Sequence, residues 1–273
     1  MRKKHILYPL LALLLGVVGA FFYHKLLSGA VDGLPVPGDP AGTVLLALCI
    51  VAGIVFLLLA LRSKGMQGGA LYTAPCIIRA AFLAAGAVLM LLSAALHLMA
   101  VMEAYTTGGP LLSYLLEGIL VLLSIPSIVS MAFLAKDAKE GTGRSHSSLT
   151  VIFPVLYCWF WLIDIYRHHS ANPVLLDYIF LMLAVVFLLL AAFARSGFSF
   201  GDGKPRFTVF VCLCAIFLAP ISLISYFGLP TLLVTVGMTL YTAAALSALL
   251  RNLPMPEFPA PESELETEVS DDE

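Results

Sequence analysis

Charge is what this 273-residue chain has least of: 12% of its residues are charged, against about a quarter in soluble domains. Apolar residues make up 60% and the mean hydropathy is +0.99. That balance excludes a soluble globular protein, because there is too little polar surface to cover one. Sustained apolar–polar alternation is also missing, which excludes a closed β-barrel and leaves α-helices as the way to satisfy backbone groups in lipid. Five cysteines (Cys49, Cys76, Cys158, Cys212, Cys214) fall within or beside apolar runs, so no disulfide framework is implied. Cys212 and Cys214 are one residue apart and point in different directions on a helix, which disfavours a shared metal. No H-E-x-x-H, G-x-x-x-x-G-K-[ST] or G-x-S-x-G occurs, so neither a catalytic residue nor a cofactor is expected.

What is present is a series of eight apolar runs, near 6–23, 42–61, 77–102, 111–135, 149–166, 174–194, 207–225 and 229–250. A spanning helix needs about 20 such residues, so the expected fold is all-α: a polytopic transmembrane bundle over 1–251. Arg2, Lys3 and Lys4 before the first run and Ser28-Gly29-Ala30 after it have the outline of a signal peptide. Ile6 to Tyr23 exceeds the roughly 7 to 15 residues of a signal core, so it is read as a span.

The basic residues order these spans. Arg2, Lys3, Lys4, Arg62, Lys64, Arg79, Lys136, Lys139, Arg144, Arg195, Lys204, Arg206 and Arg251 all belong to one side of an alternating bundle, and only Lys25 and Arg167 belong to the other. Short basic loops stay in the cytoplasm, which predicts both termini inside. The thirteen are thereby explained by orientation alone. Residues 252–273 hold eight acids, four prolines and no basic residue. This composition predicts a disordered acidic tail, either a solvated terminus or a docking segment for a basic cytoplasmic protein.

Pro9, Pro126, Pro154 and Pro220 fall inside apolar runs and predict kinks. Ala80 with Ala84, Ala81 with Ala85, and Ala244 with Ala248 form small-residue faces that predict close helix approach. Val55 to Ala60 and Val186 to Ala191 share the string VFLLLA, a weak hint of parallel duplication.

Ionisable residues inside the runs are the functional signal. His97, Glu117, Asp164 and Asp177 all map to the half away from the termini. A membrane acid is expensive enough that it normally faces a bundle interior or a wet cavity. Ser113, Glu117, Ser124 and Ser127 share one helical face; Tyr157, Trp161, Asp164 and His168 share another; Thr231, Thr235, Thr239 and Thr242 form a column on the last span. Such stripes either pack helices together or converge on a cavity, for which Glu117, His97, Asp164, Ser113, Tyr157, Trp161, Thr235 and Thr239 are the candidate lining. Asp164 and Asp177 beside Arg167, His168 and His169 are equally explained as an interfacial charge cluster, and Trp159 and Tyr166 as an aromatic belt. His24, His97, His168 and His169 with Glu103 or Asp164 carry metal-ligating groups, but no spacing enforces a site. The basic residues are dispersed, so no nucleic-acid partner is expected.

Asp32-Gly33-Leu34-Pro35, Gly38-Asp39-Pro40-Ala41, Trp161-Leu162-Ile163 with Tyr166, Asn172-Pro173, Tyr178 and Gly197-Phe198-Ser199-Phe200 resemble a family of multi-pass bacterial integral membrane proteins with no established activity. The resemblance implies a bacterial cytoplasmic membrane and carries over no site. The expected function is transport of a small solute or ion, alone or as a transporter subunit. The alternative is a membrane scaffold or sensor acting through its cytoplasmic loops and acidic tail.

Overall fold

Each apolar run becomes one helix because lipid offers no partner for a free N–H or C=O, and the helix alone satisfies them all internally. The computed structural model describes residues 4–30, 39–63, 71, 74–107, 111–141, 150–169, 178–225 and 227–252, without the side chains of 4, 5, 104 and 111–114. Its helices are α1 (Lys4–Ser28), α2 (Pro40–Leu61), α3 (Ile77–Thr106), α4 (Leu111–Glu140), α5 (Phe153–His169), α6 (Ile179–Ser199), α7 (Pro205–Ser222) and α8 (Leu229–Asn252), with a 3-10 turn at Thr150–Ile152. All eight are long and apolar enough to cross a membrane, and no strand occurs among the described residues. Most of the acidic tail and Asp177 lie outside the described residues.

Local chemistry explains several boundaries. The Asp39 carboxylate accepts from the Ala41 amide at 2.8 Å, and Pro40 occupies the first helical position, where its missing N–H has no intrahelical role. Pro205 does the same for α7. Gly141, at φ 69°, ends α4 in the left-handed region, and an added Cβ there would lie 2.6 Å from Pro75. Pro154 departs from expectation: α5 begins at Phe153, so this proline sits in the first turn and removes no intrahelical bond. Pro9, Pro126 and Pro220 do lie inside helices.

Helix α3 runs antiparallel to α4 and α8, whereas α1 runs parallel to α7. At one end, called here the terminal end, the Cys76 amide donates to the Ala138 carbonyl at 2.8 Å and the Asn252 side chain donates to Leu71. At the far end, the Tyr23 hydroxyl meets Ser225 Oγ at 2.8 Å and Ser93 Oγ donates to the Pro230 carbonyl at 2.9 Å. Helices α3, α4, α5, α6 and α8 pack in a circuit, each against the next, while α7 packs against α1, α2, α6 and α8.

Burial separates centre from rim. In the most apolar stretch of each helix, 72% of α7 and 61% of α8 is buried, against 28% of α1 and 22% of α2. Leu7, Leu14, Phe21, Leu46, Ile50 and Leu57 are exposed, a surface suited to lipid tails. Glycine makes the tightest crossings. A Cβ on Gly16 of α1 would lie 2.4 Å from the Phe217 carbonyl oxygen of α7, and one on Gly86 of α3 would lie 2.8 Å from the Gly237 carbonyl oxygen of α8. Ala244 and Ala248 are fully buried as expected. Ala81, Ala84 and Ala85 are exposed instead, because α3 turns the face of Leu83, Gly86, Ala87 and Met90 inward.

Candidate functional site

Helix α5 supplies the core of the site. Its residues at positions 157, 161 and 164 follow steps of four and three, so Tyr157, Trp161 and Asp164 stack along one face. All three are buried, and the Tyr157 and Trp161 rings lie 6.3 Å apart at 41°. Asp164 is 8% exposed, a carboxylate drawn into an apolar bundle. One turn later, His168 Nδ1 lies 3.2 Å from Asp164 Oδ1 and 3.0 Å from the Asp164 carbonyl oxygen. The neutral ring has one N–H to give, and the geometry directs it to the carbonyl. Asp164 Oδ1 is therefore buried without a hydrogen bond.

Two other helices carry groups within electrostatic reach of this carboxylate. Half-buried His97 on α3 lies within electrostatic reach of Asp164 and His168, and its Nε2 is buried without a hydrogen-bond partner. Glu117 on α4, also half-buried, lies within reach of Asp164, His168 and Arg167. At about 1.5 Å per residue, His168, Asp164, Glu117 and His97 sit about 1.5, 7.5, 9 and 13.5 Å along their own helices from the far end. They form a graded series from the rim inward.

The other sequence-predicted residues are placed differently. Ser113 lies on α4, with its side chain outside the described residues. Thr235 and Thr239 donate to the carbonyls of Thr231 and Thr235 at 2.8 and 2.6 Å, so these hydroxyls are satisfied within α8. Ser124 and Ser127 likewise bond Val121 and Leu123 at 2.6 and 2.8 Å. Thr235 lines a separate small pocket with Thr231, Ser222, Ser225, Leu181 and Phe227, with room for about one water. His97 and Glu117 lie within electrostatic reach of Asp164, whereas Thr231 and Thr235 belong to the α6–α7–α8 corner.

The histidines divide in the same way. His169 Nδ1–H donates to the Ile165 carbonyl at 2.9 Å and the ring packs edge-on to Phe227 at 4.9 Å, a packing role. His24 is exposed on α1. No group of three or more potential metal ligands occurs among the described residues.

Sequence reasoning missed two arginines. Arg79 and Arg195, attributed there to orientation, are 3% and 2% exposed. Arg195 donates to the Tyr241 hydroxyl, and its guanidinium carbon lies 4.6 Å from the centre of that ring. Arg79 Nη2 donates to the Ala74 carbonyl at 2.8 Å, with Nη1 buried and unpartnered. Arginine 195 precedes the end of α6 by four residues, about 6 Å along the axis, which is the only sequence signal of its depth. Comparison with protein-family models, with curated proteins and with solved structures finds no match to this chain.

Proposed function

We propose that this protein moves a small solute or ion across a bacterial cytoplasmic membrane, with both termini in the cytoplasm and the His97–Glu117–Asp164–His168 site opening to the outside. The observation that carries this reading is the Asp164 carboxylate, 8% exposed, with His97 and Glu117 of two other helices within electrostatic reach. An acid inside a span is costly, about 2.5 to 3.5 kcal/mol at the centre on insertion scales and less toward the end where Asp164 sits, and bundle packing needs no such group. The basic loops support the orientation, since thirteen of the fifteen Lys and Arg residues belong to the terminal end.

A scaffold or sensor is the second reading. It is favoured by the serine and threonine stripes, whose hydroxyls bond their own helices and so need no solute.

The two readings separate in reconstituted vesicles adsorbed on a solid support, challenged in turn with sodium, potassium, proton, amino acid and amine gradients. Transport predicts a protein-dependent current that falls at least tenfold in Glu117→Gln and Asp164→Asn, with yield and melting temperature retained. Wild-type protein that stays electrically silent throughout, with partner capture lost on deleting residues 253–273, supports the scaffold.

A further inference from the structure

The corner where α6, α7 and α8 meet holds a cavity separate from Asp164. Helix α7 ends at Ser222, and the chain turns through Leu223 to Ser225 before α8 begins at Leu229. Four hydroxyl residues line the space enclosed there: Ser222 and Ser225 from the end of α7 and the turn after it, Thr231 and Thr235 from the first two turns of α8. Ser222 and Thr235 are buried beside Leu181 of α6, whereas Ser225, Thr231 and Phe227 are half-buried, so the cavity has a floor inside the bundle and a mouth toward the far end. Room for about one water limits its occupant to a single small species.

The polarity of that space is one-sided. The Ser222 hydroxyl donates to the Ala219 carbonyl and the Thr235 hydroxyl to the Thr231 carbonyl, each at 2.8 Å. A serine or threonine hydroxyl has one proton and two lone pairs, so both oxygens have spent their donor and keep acceptor capacity alone. Ser225 Oγ shares one hydrogen with the Tyr23 hydroxyl at 2.8 Å, which ties this corner to α1. An anion is disfavoured, because it needs donors. No carboxylate lines the cavity among the described residues, which disfavours a divalent cation, since calcium and magnesium draw on carboxylates. The carbonyl end of α7 carries the negative pole of that helix, and Ser222 is its last residue. On α8 the lining extends to Thr235, beyond the first turn over which its positive pole acts.

We propose that this cavity binds one alkali cation, sodium or potassium, stripped of most of its hydration and held by the hydroxyl oxygens of Ser222, Ser225, Thr231 and Thr235. Helix C-terminal ends and the unwound backbone beside them are where sodium is held in many transporters. The site is separate from the His97–Glu117–Asp164 series and does not depend on the transport reading. Occupied, it joins α6, α7 and α8, and through Ser225 and Tyr23 it joins α1 as well.

The test is equilibrium binding of radioactive sodium, and of radioactive rubidium as a potassium stand-in, to the purified full-length protein in detergent. Thermal melting in sodium, potassium or choline chloride at equal ionic strength accompanies it. The expected result is saturable binding of one ion per chain by at least one of the two cations, with a melting temperature at least about 2 °C above that in choline. Ser222→Ala and Thr235→Val should each weaken binding at least tenfold and lose the salt-dependent shift, whereas Thr235→Ser, which keeps the oxygen, should retain both. Thr242→Val removes a hydroxyl that also bonds its own helix, at 2.8 Å from the Met238 carbonyl, but lies outside the cavity lining, and it should bind as wild type does. Wild-type protein that binds neither ion and melts alike in all three salts overturns the proposal and leaves a site for water only. Binding that Ser222→Ala and Thr235→Val leave unchanged overturns it too, as does an equal loss in Thr242→Val, which would trace the effect to helix packing. None of these readouts is a flux, so a protein that binds the cation yet carries no current overturns the transport reading alone.

Discussion

Arg79 and Arg195 obey the loop-charge rule and yet do not sit in loops, because a long side chain near a helix end can fold inward as readily as outward. Inside, each takes a specific partner: Tyr241 for Arg195, and the Ala74 carbonyl for Arg79. Arg79 also acts on Cys76, which precedes the first residue of α3. Partial burial raises this thiol, but the hydrogen bond and charge of Arg79 outweigh it and hold Cys76 below the ordinary thiol range. Since the thiolate is the nucleophile, it persists to lower pH than in a free cysteine. Alkylation of Cys76 by iodoacetamide, followed by mass spectrometry against pH, should therefore show a midpoint below that of a free thiol. Arg79→Gln should move the midpoint upward and slow labelling several-fold near neutral pH. An unmoved profile would mean that Arg79 does not favour the thiolate.

Helix contacts here turn on backbone approach more than on apolar area, since lipid tails are as apolar as leucine. Gly16 and Gly86 sit where an added methyl meets a carbonyl oxygen, at 2.4 and 2.8 Å, and backbone cannot rotate aside as a side chain can. Gly16→Ala and Gly86→Ala are each expected to cost about 1 to 3 kcal/mol by overpacking. Gly53→Ala on α2, with nothing within 4 Å of its added Cβ, is the control and should be neutral or gain up to about 1 kcal/mol from helix propensity. Thermal melting of the detergent-solubilised protein measures all three. Equal melting temperatures would show that these crossings are not limiting. Period and length made the eight helices legible in sequence, but the buried face of α3 was not. Alanine pairs marked one face as small, and Gly86 with its neighbours took the contact, because only the partner helix determines which small face is used.

Across the whole molecule, spans that alternate in direction along the chain are expected to place both termini on one side and the acid–histidine series on the other. Impermeant maleimide labelling of single-cysteine variants, built in a chain lacking its own five cysteines, checks this directly. Thr106→Cys should label in intact cells and Arg251→Cys only in inverted membrane vesicles. Labelling of both from the same face would end the alternating arrangement.

The candidate site was half legible at this scale. His97, Glu117 and Asp164 stood out because ionisable groups are rare and costly in apolar runs, and they lie on three helices within electrostatic reach of Asp164. Thr235 and Thr239 stood out by periodicity alone, and periodicity does not reveal that a hydroxyl is already satisfied by the carbonyl four residues back. Apolar length, loop charge and the rarity of buried acids are properties of the chain itself, so sequence alone determined the helical class, the number of helices and the expected orientation. Which faces meet, which arginines fold inward, and which acid finds a histidine depend on helices far apart in sequence, so only the tertiary structure decided them.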